Sequence, residues 1–278
     1  MSVFQKALDG GIPGAAAMAF QVSTLMWLRT LVNYQYRHGT STTQAFQTLY
    51  RDGGIRRFYR GYTAAMVQAP LSRFGDTAAN MGVLAWFQQS HYHTTPMAVQ
   101  TAVASTVAAG FRILLMPLDT MKTTLQVEGA HGRALLREKI QQQGISALYH
   151  GSLAASAATF VGHYPWFVTY NYLQSRLSRP LPTDNHTRLL RNAFIGFVSA
   201  AASDICSNAL RVIKTTRQTA SSASYPTIVR SIVEKEGLLG LFGRGLKTKL
   251  LTNGVQGMLF SVCWNLGQDL DKKPQVFK

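Results

Sequence analysis

This chain is short of cysteine and, relative to its basic residues, of acidic ones. Two cysteines occur in 278 residues, Cys206 and Cys263, with no Cys-x-x-Cys spacing. That gives no sign of a disulfide framework, and buried apolar thiols are the expectation. Charged residues make up only 14% of the chain against 46% hydrophobic, an unusual balance for a soluble enzyme. The 12 acids face 28 Lys and Arg, for a net charge of +16. Seven histidines are scattered, and His91-Tyr-His93 reads as a solvated loop rather than a metal site. No nucleotide-binding glycine loop is present, and spacing supports no Ser-His-Asp or Cys-His arrangement, so no enzyme, no catalytic residue and no metal are expected.

Clean hydrophobic runs are scarce as well. Apolar stretches of bilayer length are read at about 11–32, 61–88, 97–118, 151–174, 190–212 and 246–268, several of them broken by Gly, Pro or a charge. Such interruptions are tolerated in a membrane helix where they face protein or a water-filled cavity. The competing reading is an all-helical soluble globule. Only Lys6 and Asp9 precede the first apolar run, so no cleavable signal is expected.

The positive balance raises nucleic acid as a partner. However, there is no zinc-finger spacing, no basic helix with base-reading residues and no aromatic platform with basic flanks, so no nucleic-acid partner is expected. The cations collect in linkers instead: Arg51, Arg56, Arg57 and Arg60; Arg133, Arg137 and Lys139; then Arg230, Lys235, Arg244, Lys247 and Lys249. Juxtamembrane cations beside anionic lipid are the simpler explanation.

What the chain does have is a phrase written three times. It reads Gly54-Ile-Arg-Arg-Phe-Tyr-Arg-Gly61, Gly144-Ile-Ser-Ala-Leu-Tyr-His-Gly151 and Gly237-Leu-Leu-Gly-Leu-Phe-Gly-Arg-Gly245, at intervals of 90 and 93 residues. A second phrase precedes the last two copies at matched spacing. Pro117-Leu-Asp119-Thr-Met-Lys122-Thr-Thr-Leu-Gln126 aligns without a gap with Ala209-Leu-Arg211-Val-Ile-Lys214-Thr-Thr-Arg-Gln218. The first repeat offers only a weak match, from Thr24 to Asn33. Two phrases recurring together indicate a repeat architecture.

These residues resemble the mitochondrial carrier family over nearly the whole chain. The middle motif is complete, whereas the other two lack their proline and their acid. The resemblance implies an all-α membrane protein, with six transmembrane helices in three pseudo-threefold repeats and short matrix-side helices. One carrier domain would fill 1–278, with repeats at about 8–92, 96–180 and 187–272. The location implied is the inner mitochondrial membrane, crossed several times.

Family roles carry over position by position. The matrix gate falls on Arg29, Asp119, Lys122, Arg211 and Lys214, with Met26 at the first acidic place. One acid then faces four cations, and three closed pairs cannot form. The missing prolines also predict no kink at Thr24 or Ala209. The opposite gate falls on Tyr170, Asn171 and Gln174, and on Trp264, Asn265 and Gln268, where amides replace charges. Substrate contacts fall on Gln68, on Ala158 with Thr159, and on Thr252 with Asn253. None of these is cationic, which argues against a multiply charged anion. Arg112 and Asp204 lie at equivalent depth, face the cavity and are able to pair with each other. Arg73, Asp76 and His163 are further polar intruders.

Arg60 with Gly61, and His150 with Gly151, resemble the phrases that hold cardiolipin phosphates, so bound cardiolipin is expected and no other cofactor. Glycine there lets backbone N–H groups at a helix start approach an anion. The competing reading is glycine used for tight helix packing. The third copy inserts Gly243 and so departs from the phrase at Phe242.

The residues leave two functions open. One is a divergent carrier moving a small neutral, zwitterionic or singly charged metabolite by alternating access. The other is a carrier fold without transport, serving as a structural or lipid-holding subunit of a respiratory or ATP synthase complex.

Overall fold

The structure, a computed structural model, describes residues 3–90, 95–178, 185–220 and 223–257, the side chains of 3–18, 98 and 185–186 excepted. Helices dominate these residues, and no strand occurs among them. One order of elements recurs three times: a long helix, a short one, a tight turn, a second long helix. The first set is α1 (Val3–His38), α2 (Thr42–Arg51), α3 (Gly54–Phe58) and α4 (Tyr62–Gln89). The second is α5 (Met97–Leu114), α6 (Met116–Glu128), α7 (Gly132–Gln143), a 3-10 turn at Ile145–Tyr149 and α8 (Ser152–Arg176). The third is α9 (Asn185–Thr219), α10 (Tyr225–Gly243) and α11, helical over 246–257. α1 packs on α4 and α9, α4 on α5, α5 on α8, and α8 on α9. Together with α11, which bonds to α9 through Asn253 and Asp204, these helices surround a central space.

Local chemistry sets the boundaries. Ser41 and Gln44 form a reciprocal capping box at the start of α2, and the Ser224 side chain caps α10. The glycines of the repeated phrase occupy the left-handed region in every copy: Gly54, Gly144 and Gly237 at φ of 60°, 70° and 68°, Gly61, Gly151 and Gly245 at 82°, 92° and 64°. A side chain is strained there, which is why the phrase returns as glycine. Gly243 is not among the positive-φ residues, so Gly245 is the third counterpart of Gly61.

The odd helices break differently. Between α5 and α6 the chain bends by 66°, with Pro117 in the first turn of α6. α9 runs unbroken through Ala209, as its lost proline predicts. α1 corrects the expectation for Thr24: Leu25 leaves the helical region at φ −116° and ψ 17°. The Thr24 hydroxyl donates to the Phe20 carbonyl at 3.0 Å, a back-bond of the kind that bends helices without proline.

Polarity is arranged inside out. Thr30, Ser105, Asp119, Thr123, Ser199 and Asn208 are buried, while Phe160, Tyr164, Val168, Leu190, Phe194 and Leu251 are exposed. Among the described residues one helix, Thr187–Thr219, is by itself long and apolar enough to cross a membrane, and the bent pair from Val99 to Gln143 passes jointly.

At one end of the bundle the three sets are locked in a cycle. Arg57 of the first set donates to the carbonyls of Gln126 and Val127 at 2.8 and 2.7 Å, closing the C-terminus of α6. Lys139 of the second donates to the Gln218 carbonyl at 2.6 Å, closing α9. Arg244 of the third donates to the carbonyls of Tyr36 and Arg37 at 3.4 and 3.2 Å, closing α1. The last carbonyls of a helix lack intrahelical partners and carry the negative end of its dipole, so a cation satisfies both needs. These three therefore depart from the lipid-facing role expected for linker cations. They are buried fastenings between repeats.

Candidate functional site

The central space is a cavity of about 360 Å³ lined by α1, α4, α5, α6, α9 and α11. Its floor lies where the odd helices converge. There Asp119 accepts from two lysines, Lys122 one turn along its own helix at 2.7 Å and Lys214 of α9 at 2.5 Å. Gln218 donates to the second Asp119 oxygen at 2.9 Å and so fixes its orientation. The equivalent Gln126 instead accepts from Asn33 of α1 at 2.6 Å. One carboxylate thus ties α6 to α9, and one amide ties α6 to α1.

A second acid enters where the motif reading counted one. Asp204 sits beside Arg211 at 3.1 Å, with Lys249 at 3.9 Å and the Asn253 amide donating to it. This joins α9 to α11. Arg112 binds elsewhere: its guanidinium reaches both oxygens of Asp76 on α4, at 3.2 and 2.6 Å, and donates to Thr159 of α8 at 3.0 Å. The pairing of Arg112 with Asp204 is therefore not formed, because each has a nearer partner on a neighbouring helix.

The other anticipated contacts divide. Gln68 lines the cavity and accepts from Lys122 at 3.0 Å, and Thr252 lines it too while back-bonding to Thr248. Ala158 and Thr159 are buried behind Arg112 and do not line the space. Arg29 lines it near the motif lysines. Lys249 does as well, a correction to its assignment among the linker cations. Its signal was present in the repeats: four residues past the phrase, Ala65, Ala155 and Lys249 are equivalent, and only the third is charged. Arg73 and Gln256 complete the polar lining.

At the opposite end, Gln174 donates to the Tyr170 hydroxyl at 3.0 Å and accepts from Arg191 of α9 at 2.7 Å. Arg191 also reaches the carbonyls of Gln174 and Leu177, each at 3.1 Å. A cation thus braces this end, which the amide-only expectation missed. Asn171 turns away toward a lateral apolar pocket of about 470 Å³ between α5 and α8. In that pocket Ser105 and His163 hydrogen-bond through Oγ and Nδ1. Trp264, Asn265 and Gln268 lie outside the described residues.

On the outer surface, Arg60 and Gly61 line a pocket of about 350 Å³ with Tyr59, Gly129 and Arg133. Gly61 precedes α4 in the left-handed conformation, without a side-chain cap on that helix. Gly151 stands likewise before α8, with His150 beside it. Burial, and then Arg217 and Lys139, hold the His150 imidazole below its ordinary pKa.

Comparison with known proteins bears on the whole assembly. A family model described as mitochondrial carrier protein matches residues 1–90, 94–181 and 185–270. Solute carrier family 25 member 44 of Mus musculus is 21% identical over 288 residues, covering 94% of this chain and 90% of that protein. Peroxisomal adenine nucleotide transporter 1 of Saccharomyces cerevisiae is 27% identical over 192 residues, or 56% of this chain and 57% of the yeast protein. Protein MITOFERRINLIKE 1, chloroplastic, of Arabidopsis thaliana is 31% identical over 273 residues, covering 90% and 65%.

Proposed function

The chain belongs to the mitochondrial carrier family, and from that premise we propose that it moves a small metabolite across a membrane by alternating access. The observation that carries this reading is the floor of the cavity. Asp119 bridges Lys122 and Lys214, so the convergence of α6 and α9 is held by a bond that can open and re-form. Alternating access needs two closable states of similar free energy. The Gln174–Arg191 contact is the matching element at the other end.

Six membrane-spanning helices suit the outward apolar and inward polar faces, with α2, α7 and α10 at the matrix side. The membrane proposed is the inner mitochondrial one, although relatives carry peroxisomal and chloroplastic names. The outer pocket at Arg60, Gly61 and Arg133 suits a lipid phosphate, with cardiolipin as its occupant. Lipid mass spectrometry on the purified chain, compared with Arg60→Gln, tests that assignment.

A non-transporting subunit of a respiratory or ATP synthase complex is the weaker reading. Its support is the loss of charge at both gates in two or three repeats, whereas both ends of the bundle contain charged contacts. The decisive experiment is reconstitution of the full chain into liposomes, with exchange of internal against external solute measured over a panel. Exchange abolished by Asp119→Asn but not by a surface change such as Arg230→Gln supports transport. A folded, lipid-loaded protein that exchanges nothing sinks it.

A further inference from the structure

The cavity has an electrostatic imbalance that selects its ligand. Three carboxylates and seven cations meet there. Asp76 holds Arg112, Asp119 holds Lys122 and Lys214, and Asp204 holds Arg211 with Lys249 at longer range. Arg29 and Arg73 line the same space. Leaving Arg29 aside, each acid balances one of the six other cations, so three positive charges remain in excess among the described residues.

These charges are available to a ligand. The paired side chains of Arg112, Arg211, Lys214 and Lys249 keep 35%, 32%, 22% and 23% exposure inside the cavity. Arg73 is exposed and forms no ion pair among the described residues. Like charges in a confined, partly desolvated space repel, and that repulsion is relieved by a bound anion. Arginine adds a planar fork of donors matched to the oxygens of a carboxylate or phosphate. A cationic solute would meet the same field as a barrier.

Shape narrows the class further. A volume of about 360 Å³ lies at the small end of ligand pockets, which span roughly 300–1,000 Å³. The apolar lining is confined to Val32, Tyr36, Ala65 and Ala69, and the Tyr36 ring is buried. Among the described residues that line the cavity, no open aromatic face is offered for a nucleobase to stack on. Ser72, Thr215, Thr252 and Gln256 supply neutral hydrogen bonds around the cations.

We infer that the substrate is a compact, multiply charged oxyanion, a polycarboxylate or a small phosphorylated metabolite, gripped by Arg73, Arg112 and Lys249 above the Asp119 floor. This rests on the transport reading above, and it departs from the neutral or singly charged solute expected from the contact positions. Those positions were read as neutral because the cations sit elsewhere. Lys249 is on the turn before Thr252, Arg73 is five residues past Gln68, and Arg211 and Lys214 come from a motif whose other acids are missing.

Two readouts on the full-length protein separate this inference from the transport reading. The first is thermal stability in detergent at matched ionic strength, with chloride as the reference anion, since a non-specific charge effect follows ionic strength alone. The probes are citrate, malate, glucose 6-phosphate and inorganic phosphate, against alanine, glucose, lysine and choline. The second is liposome exchange with the same set.

The expected result is stabilisation and exchange by one branch of the first group, the polycarboxylates or the phosphates identifying the source. Arg73→Gln should weaken that response about tenfold with unchanged thermal stability in chloride, because Arg73 has no ion-pair or hydrogen-bond partner among the described residues. Stabilisation without exchange retains the oxyanion site and overturns transport. Stabilisation and exchange by alanine, glucose, lysine or choline instead retains transport and overturns the oxyanion. Stability that no oxyanion raises, or an oxyanion response that Arg73→Gln leaves unchanged, overturns the site as drawn.

Discussion

Arg57 and Gln126 belong to different repeats, and the guanidinium of one closes the helix on which the other sits, at 2.8 Å from its carbonyl. Lys139 with Gln218, and Arg244 with Arg37, do the same for the next two repeats. The role recurs three times, but from three different places: α3, α7 and the turn after α10. Each repeat is thereby fastened to the next, and the last to the first.

Arg57→Met should destabilise the chain by about 2 kcal/mol, the range for losing charge-assisted hydrogen bonds to buried carbonyls. Asp52, its partner, is 56% exposed and stays solvated, which keeps the loss below that of a fully buried pair. Thermal unfolding in detergent measures this; an unchanged midpoint would mean that the cap is not holding the repeats.

Lys139 gives a pH signature. Burial foremost, then Arg217 and Arg37, lower its pKa from 10.5 to about 8, against a smaller opposing effect of Glu128. Below about pH 8 both folded and unfolded chains carry the proton, and the folded one bears the burial cost. Between about 8 and 10.5 only the unfolded chain keeps it, so stability rises with pH across that window and levels off above it. Lys139→Leu should flatten this rise and, by leaving the Gln218 carbonyl unpaired, cost about 1–2 kcal/mol at pH 7. Leu49 and Ile232 already fill the equivalent buried positions in the other repeats.

Asp119→Asn strands Lys122 and Lys214 without their shared anion. A drop of about 3 kcal/mol is expected, at the low end for breaking a buried pair, because both lysines retain partial access to the cavity. The double change Asp119→Asn with Lys214→Gln should recover part of it. Additive losses in that cycle would argue that the two do not interact.

Gly245→Ala and Gly243→Ala should behave oppositely. Gly245 has φ of 64°, and an added Cβ would lie 3.0 Å from the Tyr36 ring, so a loss of about 1–2 kcal/mol is anticipated. Gly243 ends α10 with open space around it, and alanine there should be neutral or slightly stabilising. Equal effects would undo the assignment of Gly245 as the third counterpart of Gly61.

Much of the architecture is legible from spacing alone. The phrase from Gly54 to Gly61 needs two left-handed residues, so its recurrence marks the same turn each time. Proline at 117 foretells the bend between α5 and α6, and alanine at 209 the straight α9. The Thr24 back-bond that breaks α1 is not visible in this way, because threonine bends a helix only in some packing contexts. Lys249 is equally hidden among the linker cations, and only its equivalents Ala65 and Ala155 mark it as different.

By itself, the sequence determined the repeat, the helices and the turns between them, since these depend on periodicity, glycine conformation and proline, all local in origin. Tertiary structure alone decided which charges meet. Arg112 chooses Asp76 over Asp204, Asp204 makes up for a missing motif acid, and Arg57, Lys139 and Arg244 turn inward to helix ends. Ion pairs and helix caps depend on distance in space between groups far apart in the chain. No spacing rule within one repeat fixes that distance.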